Sequence, residues 1–379
     1  MRVNKTATIL WALSSLGVSA ANADVSVVTS IKPVHSLVSG VMQGVGSPTV
    51  IIEGAGSPHT YSLKPSQATQ LQDADLVFWM GDELEPFLVD AAQNIARNAE
   101  LVNLFDSHGL KKIRFREGGM FDEHDDHDDH AKDDHDDHGK EKHAKDDHDD
   151  HGHDKHAKDD HDDHGHDKHA KDDHDDHGHD KHAKDDHDDH GHDKHAKDDH
   201  DDHGHGEFDP HVWLDPINAK AIVHEIEEAL VKADPKNAKK YEANAVRMAG
   251  KLDQLVTELR VQLQPVQGKG FIVFHDAYQY FEQRFGVAAI GSITVSPEVM
   301  PGAERVKDLR EKIRDLRATC VFSEPQFEPK LVRTLVDGTG AQTGVLDPLG
   351  SSLTKGPDLY FELVREMARS LKECLSAKS

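Results

Sequence analysis

The sequence DPKNAKKYEANAVRMAGKLDQLVTELRVQLQ, residues 234–264, predicts one long helix at the centre of the chain. Asp234-Pro235 is a start signal because proline is tolerated at the first helical position, and Pro265 is the next residue that breaks the pattern. The apolar residues recur every three or four positions and give the helix one buried stripe. They are Ala245, Met248, Leu252, Leu255, Val256 and Leu259. At 1.5 Å per residue the helix would be about 45 Å long, enough to run across two lobes.

Short β-rich runs alternate with helical patterns on both sides of this helix. Before it, strands are predicted at 25–29, 49–53, 76–80 and 100–104, and helices at 34–42, 66–71, 84–96 and 217–231. After it, strands are predicted at 271–274, 287–290, 318–322 and 344–346, and helices at 277–285, 303–316, 330–337 and 358–375. Such alternation is typical of parallel sheets flanked by helices.

The sequence therefore predicts an α/β fold of two (β/α) lobes with mainly parallel sheets. The N-terminal lobe is expected at residues 24–234 and the C-terminal lobe at residues 265–379, with the helix at 235–264 between them. Because a helix is a stiff connection, we expect small movements of the lobes rather than wide hinge closure.

Residues 122–206 interrupt the N-terminal lobe with a repeat rich in histidine and aspartate. The 13-residue unit HAKDDHDDHGHDK runs almost unchanged from residue 143 to residue 194. Residues 122–205 contain 35 acidic residues, 12 lysines and 25 of the 31 histidines, and so carry −23 of the formal net charge of −27. With hardly any apolar side chains, this tract is predicted to be a disordered loop. Its imidazoles and carboxylates indicate divalent metals, and its acidity excludes nucleic acid as a partner.

Residues 1–23 have the three parts of a cleaved secretory signal peptide. Arg2 and Lys5 supply the positive charge, residues 7–20 the apolar stretch, and residues 21–23 (Ala-Asn-Ala) the cleavage site. An uncleaved membrane anchor is the alternative, but the apolar stretch is shorter than a bilayer-spanning helix requires. We therefore expect export to the periplasm.

The chain contains two cysteines, Cys320 and Cys374. An even number of cysteines in an exported protein favours a disulfide, which would join the C-terminal helix to the strand that contains Cys320. Two free, buried thiols are the alternative.

Three of the six histidines outside the tract share one kind of position in the predicted fold. His59, His211 and His275 lie in loops beside a proline or an aspartate, and Asp347 ends a predicted strand. The loops at the carboxyl ends of parallel strands bind ligands in open α/β sheets, so we expect these residues to meet in the cleft between the lobes. Three imidazoles with a carboxylate or a water form a shell that zinc accepts.

The remaining histidines, His35, His108 and His224, lack this placement. His224 falls on the helix predicted at 217–231 and is expected on the surface or in packing. His35 could support the site from the mouth of the cleft without binding the ion.

A zinc hydrolase is the alternative from another class of protein, because it also uses three protein ligands and a water. Glu324 or Asp276 would then act as the general base. The sequence contains no HExxH helix or other hydrolase signature, so we predict no catalytic residues.

Six segments resemble the zinc-binding receptors of bacterial ABC zinc importers, the ZnuA type within the cluster A-I group of metal receptors. They are SPHTYSLKPS (57–66), DPHVWLDP (209–216), FHDAYQYF (274–281), SPEVMPGAERV (296–306), FSEPQF (322–327) and LDPLG (346–350). The resemblance covers nearly the whole mature chain apart from the tract, and an acidic, histidine-rich insertion at this place is itself typical. It implies two (β/α) lobes joined by a rigid helix, with the metal between them.

The resemblance implies Zn(II) as the transported ligand, held by His59, His211 and His275. Manganese-type relatives have glutamate where this chain has His275, which favours zinc, and Asp347 matches a position that binds metal in those relatives. Some zinc-binding members have glutamate just before the first histidine, where this chain has Pro58. The fourth ligand is therefore either Asp347 or water.

The resemblance also implies a disulfide between Cys320 and Cys374, and a membrane permease as the partner. We expect a monomer that captures zinc and delivers it to the permease. A receptor for manganese or another divalent metal, and a periplasmic zinc buffer without a permease, remain alternatives. We interpret the tract as a collector of weakly bound zinc, and the alternative is a solvated repeat that expanded by slippage.

Overall fold

The computed structural model describes residues 25–116, 121, 207–294, 297, 301–315 and 320–377. The predicted signal peptide at 1–23 and the predicted disordered tract at 122–206 lie outside these residues. Within the ranges described, no helix combines the length and the apolar composition that a membrane crossing requires.

The first half of the chain forms a sheet of four parallel strands, as predicted. The strands are β1 (Val27–Thr29), β2 (Thr49–Val50), β3 (Leu76–Trp79) and β4 (Glu100–Asn103), in the order β2-β1-β3-β4. The helices are α1 (Lys32–Val41), α2 (Pro65–Gln72), α3 (Pro86–Asn94) and α4 (Pro216–Ala233). Strand β2 is shorter than the predicted 49–53, although the amides of Ile51 and Ile52 still donate hydrogen bonds to the β1 side.

The central helix α5 (Ala238–Leu263) confirms the long helix predicted from the sequence. Single 3₁₀ turns, Pro235–Asn237 and Gln264–Val266, extend it at both ends. Every residue of the predicted apolar stripe is buried. Its 26 residues span about 39 Å at the usual helical rise.

The second half repeats the strand order of the first. The strands are β5 (Phe271–His275), β6 (Ala289–Thr294), β7 (Cys320–Ser323) and β8 (Gln342–Val345), all parallel, in the order β6-β5-β7-β8. The helices are α6 (Gln279–Phe285), α7 (Ala303–Asp315), α8 (Lys330–Val336) and α9 (Leu359–Ser376). The strand predicted at 287–290 was wrong at its end, because pairing with β5 carries β6 on to Thr294.

One continuous hydrophobic core connects the two halves. Successive side chains of a strand point to opposite faces, so Phe271 and Val273 of β5 join this core. Ile272 and Phe274 point the other way, into a smaller core with α7 and α8. Helix α5 packs against α1 and α4 of the first half and against α9 of the second. The halves are therefore joined by shared packing as well as by the chain.

Helix α9 ties the C-terminus to both halves. It packs against α1 and β8, and its contact with α1 was not predicted from the sequence. A disulfide joins Cys374 on α9 to Cys320 at the start of β7. The disulfide prediction is thus confirmed, and the alternative of two free thiols is wrong.

Candidate metal centre

Three local structures place the predicted histidines. His59 lies in the 3₁₀ turn Pro58–Thr60, which follows β2, and His275 is the last residue of β5. His211 precedes the 3₁₀ turn Val212–Leu214. Before His211 the chain forms an isolated antiparallel bridge between Arg114 and Phe208, outside the parallel sheet.

The three imidazoles converge on one point. The ring centroids of His59 and His211 are 5.5 Å apart, those of His59 and His275 are 6.0 Å apart, and those of His211 and His275 are 5.3 Å apart. One ring nitrogen from each lies within 4.8 Å of the other two. Zn–N bonds of about 2.0–2.1 Å place tetrahedral ligand nitrogens about 3.4 Å apart, so a small inward movement of the rings completes three of four zinc positions. His211 and His275 are buried and His59 is half-buried.

The cavity beside these rings is small and mostly apolar. Its volume is about 10 Å³, close to the space that one water molecule needs. It is lined by Ser57, Pro58, His59, His211, Trp213, His275, Glu324, Gln326, Phe327, Pro348 and Leu349. Such a site has room for an ion with one small ligand.

A buried carboxylate orients the His211 ring. Nδ1 of His211 lies 2.7 Å from Oδ1 of Asp209, which also accepts a hydrogen bond from the His211 amide at 2.9 Å. Burial, and then the neighbouring His275, hold the pKa of His211 well below its usual range. Burial raises the pKa of the Asp209 carboxyl to about 7. These effects favour a neutral His211 ring. A proton on Nδ1, shared with the ionised Asp209 carboxylate, leaves the lone pair of Nε2 for a metal.

A second buried carboxylate orients the His275 ring, but with the opposite effect on its charge. Nδ1 of His275 lies 2.7 Å from Oε1 of Glu324. Burial alone would lower the pKa of His275, but the Glu324 charge and hydrogen bond outweigh burial and raise this pKa above its usual value. Nε2 of His275 is buried, and no hydrogen-bond partner for it lies within the described residues.

These carboxylates are the functional residues that sequence reasoning missed. A histidine that binds a metal usually donates its second N–H to a carboxylate, which fixes the tautomer and the ring orientation. The spacing of Asp209 and His211 in DPH was a usable signal for the first pair. Glu324 was considered only as a general base, and nothing in the sequence places it beside His275.

Asp347, the fourth predicted site residue, is not part of the histidine group among the described residues. Its Oδ2 accepts hydrogen bonds from the amide and the hydroxyl of Ser351, both at 2.6 Å. Its Oδ1 accepts from the Leu349 amide at 3.1 Å and from Gln326 Nε2 at 3.0 Å. Both oxygens thus hold the loop after β8 together.

The other three histidines lie apart from the group. His224 is exposed on α4, where its ring contacts Glu227 and Glu228, and His108 is also exposed. His35 is buried on α1, with Nδ1 3.5 Å from Ser39 Oγ. The expectation that His224 is a surface residue is confirmed.

Both candidate general bases of the hydrolase alternative are already engaged. Glu324 holds His275, and Asp276 forms a hydrogen-bonded ion pair with Arg116. A carboxylate in such contacts is poorly placed to take a proton from a water.

The sequence and the fold both match known zinc-uptake proteins. The family described as ZnuA, zinc-uptake complex component A, periplasmic, matches residues 27–374. The high-affinity zinc uptake system protein ZnuA of Brucella suis is 50% identical over 360 residues, covering 95% of this chain and 94% of that protein. The protein of the same name from Paracoccus denitrificans is 37% identical over 352 residues, 93% of this chain and 92% of that protein.

A crystal structure of ZnuA supports the fold assignment. It aligns with a TM-score of 0.63 at 20% identity and covers 93% of this chain and 100% of that one. At this identity the alignment shows a shared fold of two lobes and no more. The family is a component of zinc-uptake complexes rather than a family of enzymes, which leaves the hydrolase alternative without support. The predicted resemblance is confirmed, and this chain belongs to the ZnuA family of periplasmic zinc-uptake components.

Proposed function

We propose that this protein is a periplasmic receptor that captures Zn(II) between its two lobes and delivers it to an ABC importer. The observation that carries the proposal is the convergence of three imidazoles, from three separate segments of the chain, on one small cavity. Each of two rings already has its Nδ1 beside a carboxylate, so its Nε2 is directed to the shared point. The name of the Brucella suis relative, a high-affinity zinc uptake protein, supports the same ion.

The ligand set that we propose is His59, His211, His275 and one water. Asp347 is the alternative fourth ligand, but its oxygens already accept four hydrogen bonds from its own loop and from Gln326. Recruiting Asp347 would leave those donors without their acceptor. A three-imidazole shell also favours zinc over manganese, which prefers oxygen ligands.

Delivery requires a membrane permease, and with it the ATPase of the importer. The family is named as a component of a periplasmic zinc-uptake complex, which supports such partners. We further propose that residues 1–23 are removed on export. Because the three histidines lie on separate segments of the chain, docking that moves these segments apart would weaken the site and release the ion.

We assign the tract at 122–206 a separate role, the weak collection of zinc. Its sequence carries 25 histidines and a strongly negative charge, which would raise the local concentration of cations. Deleting residues 122–205 should remove several weak sites and leave one tight site. Loss of the tight site in this deletion would contradict our assignment of the ligands.

Chelator competition at equilibrium tests the proposal directly. His59→Ala, His211→Ala and His275→Ala should each weaken the tight site by more than about 100-fold, since each removes a ligand. His224→Ala is the matched control, because this histidine is exposed and away from the group. Retention of the tight site in the three variants would overturn the proposed function.

Asp347→Asn tests the fourth position. The asparagine keeps one oxygen acceptor for the loop but is a poor zinc ligand. We expect zinc affinity to change by less than about threefold, far below the effect of removing a histidine. An effect as large as that of His275→Ala would show that Asp347, and not water, completes the shell.

A further inference from the structure

The short helix α6 connects the two segments that bear His275 and His211. It begins four residues after His275 and lies against the segment before the tract (111–116) and the segment after it (207–211). The Tyr280 hydroxyl accepts from the Ile113 amide at 2.9 Å and donates to the Asp209 carbonyl at 2.7 Å. Gln279 Nε2 donates to Asp209 Oδ2 at 3.1 Å. Helix α6 belongs to the second half, so these contacts join the halves beside the candidate metal centre.

An arginine from the first half forms hydrogen-bonded ion pairs with two carboxylates of the second half. The guanidinium of Arg116 forms two hydrogen bonds with Asp276, one of them from Nε at 2.8 Å. It also donates to both oxygens of Glu282, at 2.9 and 3.0 Å. Asp276 directly follows His275, and the face of Phe121 lies 3.7 Å from the Arg116 guanidinium. We name these contacts the Arg116 fork.

A second arginine makes the reciprocal connection, from the second half to the first. Arg284 on α6 donates from Nε and Nη2 to the two oxygens of Asp215, each at 2.6 Å. Asp215 caps the N-terminus of α4 by accepting from the Ile217 amide at 2.8 Å. It belongs to the motif DPHVWLDP and lies four residues after His211. We name this contact the Arg284 fork.

The two forks have a geometry suited to fixing a distance. A bidentate contact between a guanidinium and a carboxylate sets both separation and orientation, because two parallel hydrogen bonds must be kept together. One fork ends on the neighbour of His275, and the other ends on the motif that bears His211. Apolar packing alone would allow the two loops to slide past one another.

We propose that Arg116 and Arg284 are positioning residues for the metal, which together hold the segments that bear His211 and His275 close enough for both rings to reach one tetrahedral ion. The inference rests on the proposed function, because it concerns the same three-histidine site. It adds two residues that contact no ligand atom, and it explains why the ring centroids of His211 and His275 stand only 5.3 Å apart across the junction of the halves.

The test uses the full chain and three variants. Arg284→Gln removes the guanidinium of the partly exposed Arg284 fork. Asp215→Asn removes the negative charge of the carboxylate in the same fork, while asparagine remains a good N-cap for α4. Arg116→Lys keeps a cation between Asp276 and Glu282 but loses the fork. Arg365→Gln is the matched control, because it breaks a bidentate contact with Glu258 between α9 and α5, away from the site. Thermal unfolding of the metal-free proteins shows which variants fold.

Two measurements distinguish positioning from general destabilisation. Zinc affinity of the tight site is measured by chelator competition, and Co²⁺ at less than one equivalent reports coordination geometry through its visible absorption. We expect each fork variant to bind zinc about tenfold more weakly, as removal of residues that orient ligands does. We also expect weaker visible absorption bands of bound Co²⁺, because the site becomes less tetrahedral. Arg116→Lys should show both losses, since lysine keeps the positive charge but not the bidentate contact.

Unchanged zinc affinity and an unchanged Co²⁺ spectrum in folded Arg284→Gln and Arg116→Lys would overturn the inference. A second result would also overturn it: the fork variants and the control Arg365→Gln all bind zinc more weakly, and their Co²⁺ spectra stay unchanged. Such a shared loss would reflect reduced stability alone. Failure of the proposed function gives a different pattern. In that case the wild-type chain would lack a tight site, or would keep it without the three histidines, and the positioning role would fall with it.

Discussion

Two histidine–carboxylate pairs lie side by side in the candidate metal centre, yet they are built in different ways. His211 and Asp209 belong to one turn of chain, two residues apart, and the same carboxylate oxygen contacts both the ring and the amide of the histidine. His275 and Glu324 are 49 residues apart and meet because β5 and β7 are neighbours in the second sheet. The first pair is a local feature of the sequence, and the second exists only in the folded protein.

The two pairs also prepare their imidazoles differently for a metal. Burial leaves His211 neutral, and its partner Asp209, with a pKa of about 7, carries only part of a charge at neutral pH. The Glu324 charge and hydrogen bond raise the pKa of His275, which favours its protonated form. At the proposed site, protons would therefore compete with zinc more strongly at His275 than at His211. Glu324 in return makes the deprotonated ring a more basic ligand.

The largest expected effect is on the pH dependence of zinc binding. His275 has a folded pKa above 6.5, so its protonated fraction grows as pH falls toward and through that range, and protons compete with zinc. Protonation of Asp209 below about pH 7 adds to the loss. We expect affinity to fall by more than about 100-fold between pH 8 and pH 5.5, since each displaced proton contributes tenfold per pH unit. Chelator competition across this range checks it, and constant affinity down to pH 5.5 would contradict the three-histidine shell.

The next effect separates the two pairs by removing each negative charge. Glu324→Gln should weaken zinc binding by about 10- to 100-fold at pH 7, the range for residues that orient metal ligands. Asp209→Asn should weaken it less, because Asp209 is already partly neutral at this pH. Chelator competition at pH 7 measures the zinc affinity of both variants.

Glu85→Gln is the control for that comparison. Glu85 is a fully buried carboxyl in the first half, and burial raises its pKa to about 8, so the substitution changes little charge at pH 7. Equal losses of zinc affinity in Glu324→Gln and Asp209→Asn would show that the two histidine–carboxylate pairs affect zinc binding in the same way, whether the carboxylate is near in sequence or distant.

A smaller effect follows from the partial charge of Asp209. In the wild-type protein Asp209 gains its full charge only above about pH 7, and a full charge favours the bound cation. The ratio of wild-type to Asp209→Asn affinity should therefore rise severalfold between pH 6 and pH 8. The ratio of wild-type to Glu324→Gln affinity should also rise with pH, because Glu324 raises the pKa of His275 and so makes the wild-type protein more sensitive to proton competition. Chelator competition with the wild-type protein and both variants across this pH range measures the two ratios.

The difference between the pairs also marks what the sequence could predict. The strand–helix alternation and the stripe of α5 were readable because both follow fixed periods along the chain. His59, His211 and His275 were found because few histidines remain outside the tract. The partner of His275, the forks of Arg116 and Arg284 and the contact of α9 with α1 each join residues far apart in sequence. No local sequence pattern indicates these contacts, because the spatial order of strands and helices determines which residues lie next to each other.

Strand ends were the weakest part of the prediction, for the same reason. Strand β6 continues past Gly291 because its backbone pairs with β5 up to His275. A glycine in a strand has poor intrinsic preference, so only the pairing partner reveals the extension. Asp347 follows a strand, where the sequence places a possible ligand, and only the structure shows that its oxygens accept hydrogen bonds from Ser351 and Leu349.

The smallest expected effect concerns His35, a third buried histidine, which has no carboxylate hydrogen-bonded to its ring among the described residues. Burial lowers its pKa, as it does for His211, so low charge alone does not distinguish the two. Among the described residues, His35 has neither a carboxylate hydrogen-bonded to its ring nor two other imidazoles within reach. His35→Gln should therefore change zinc affinity by less than about twofold, whereas ligand loss has a far larger effect. A tenfold loss in a variant with unchanged thermal unfolding would mean that burial, and not the paired carboxylate, is what prepares a histidine for the ion.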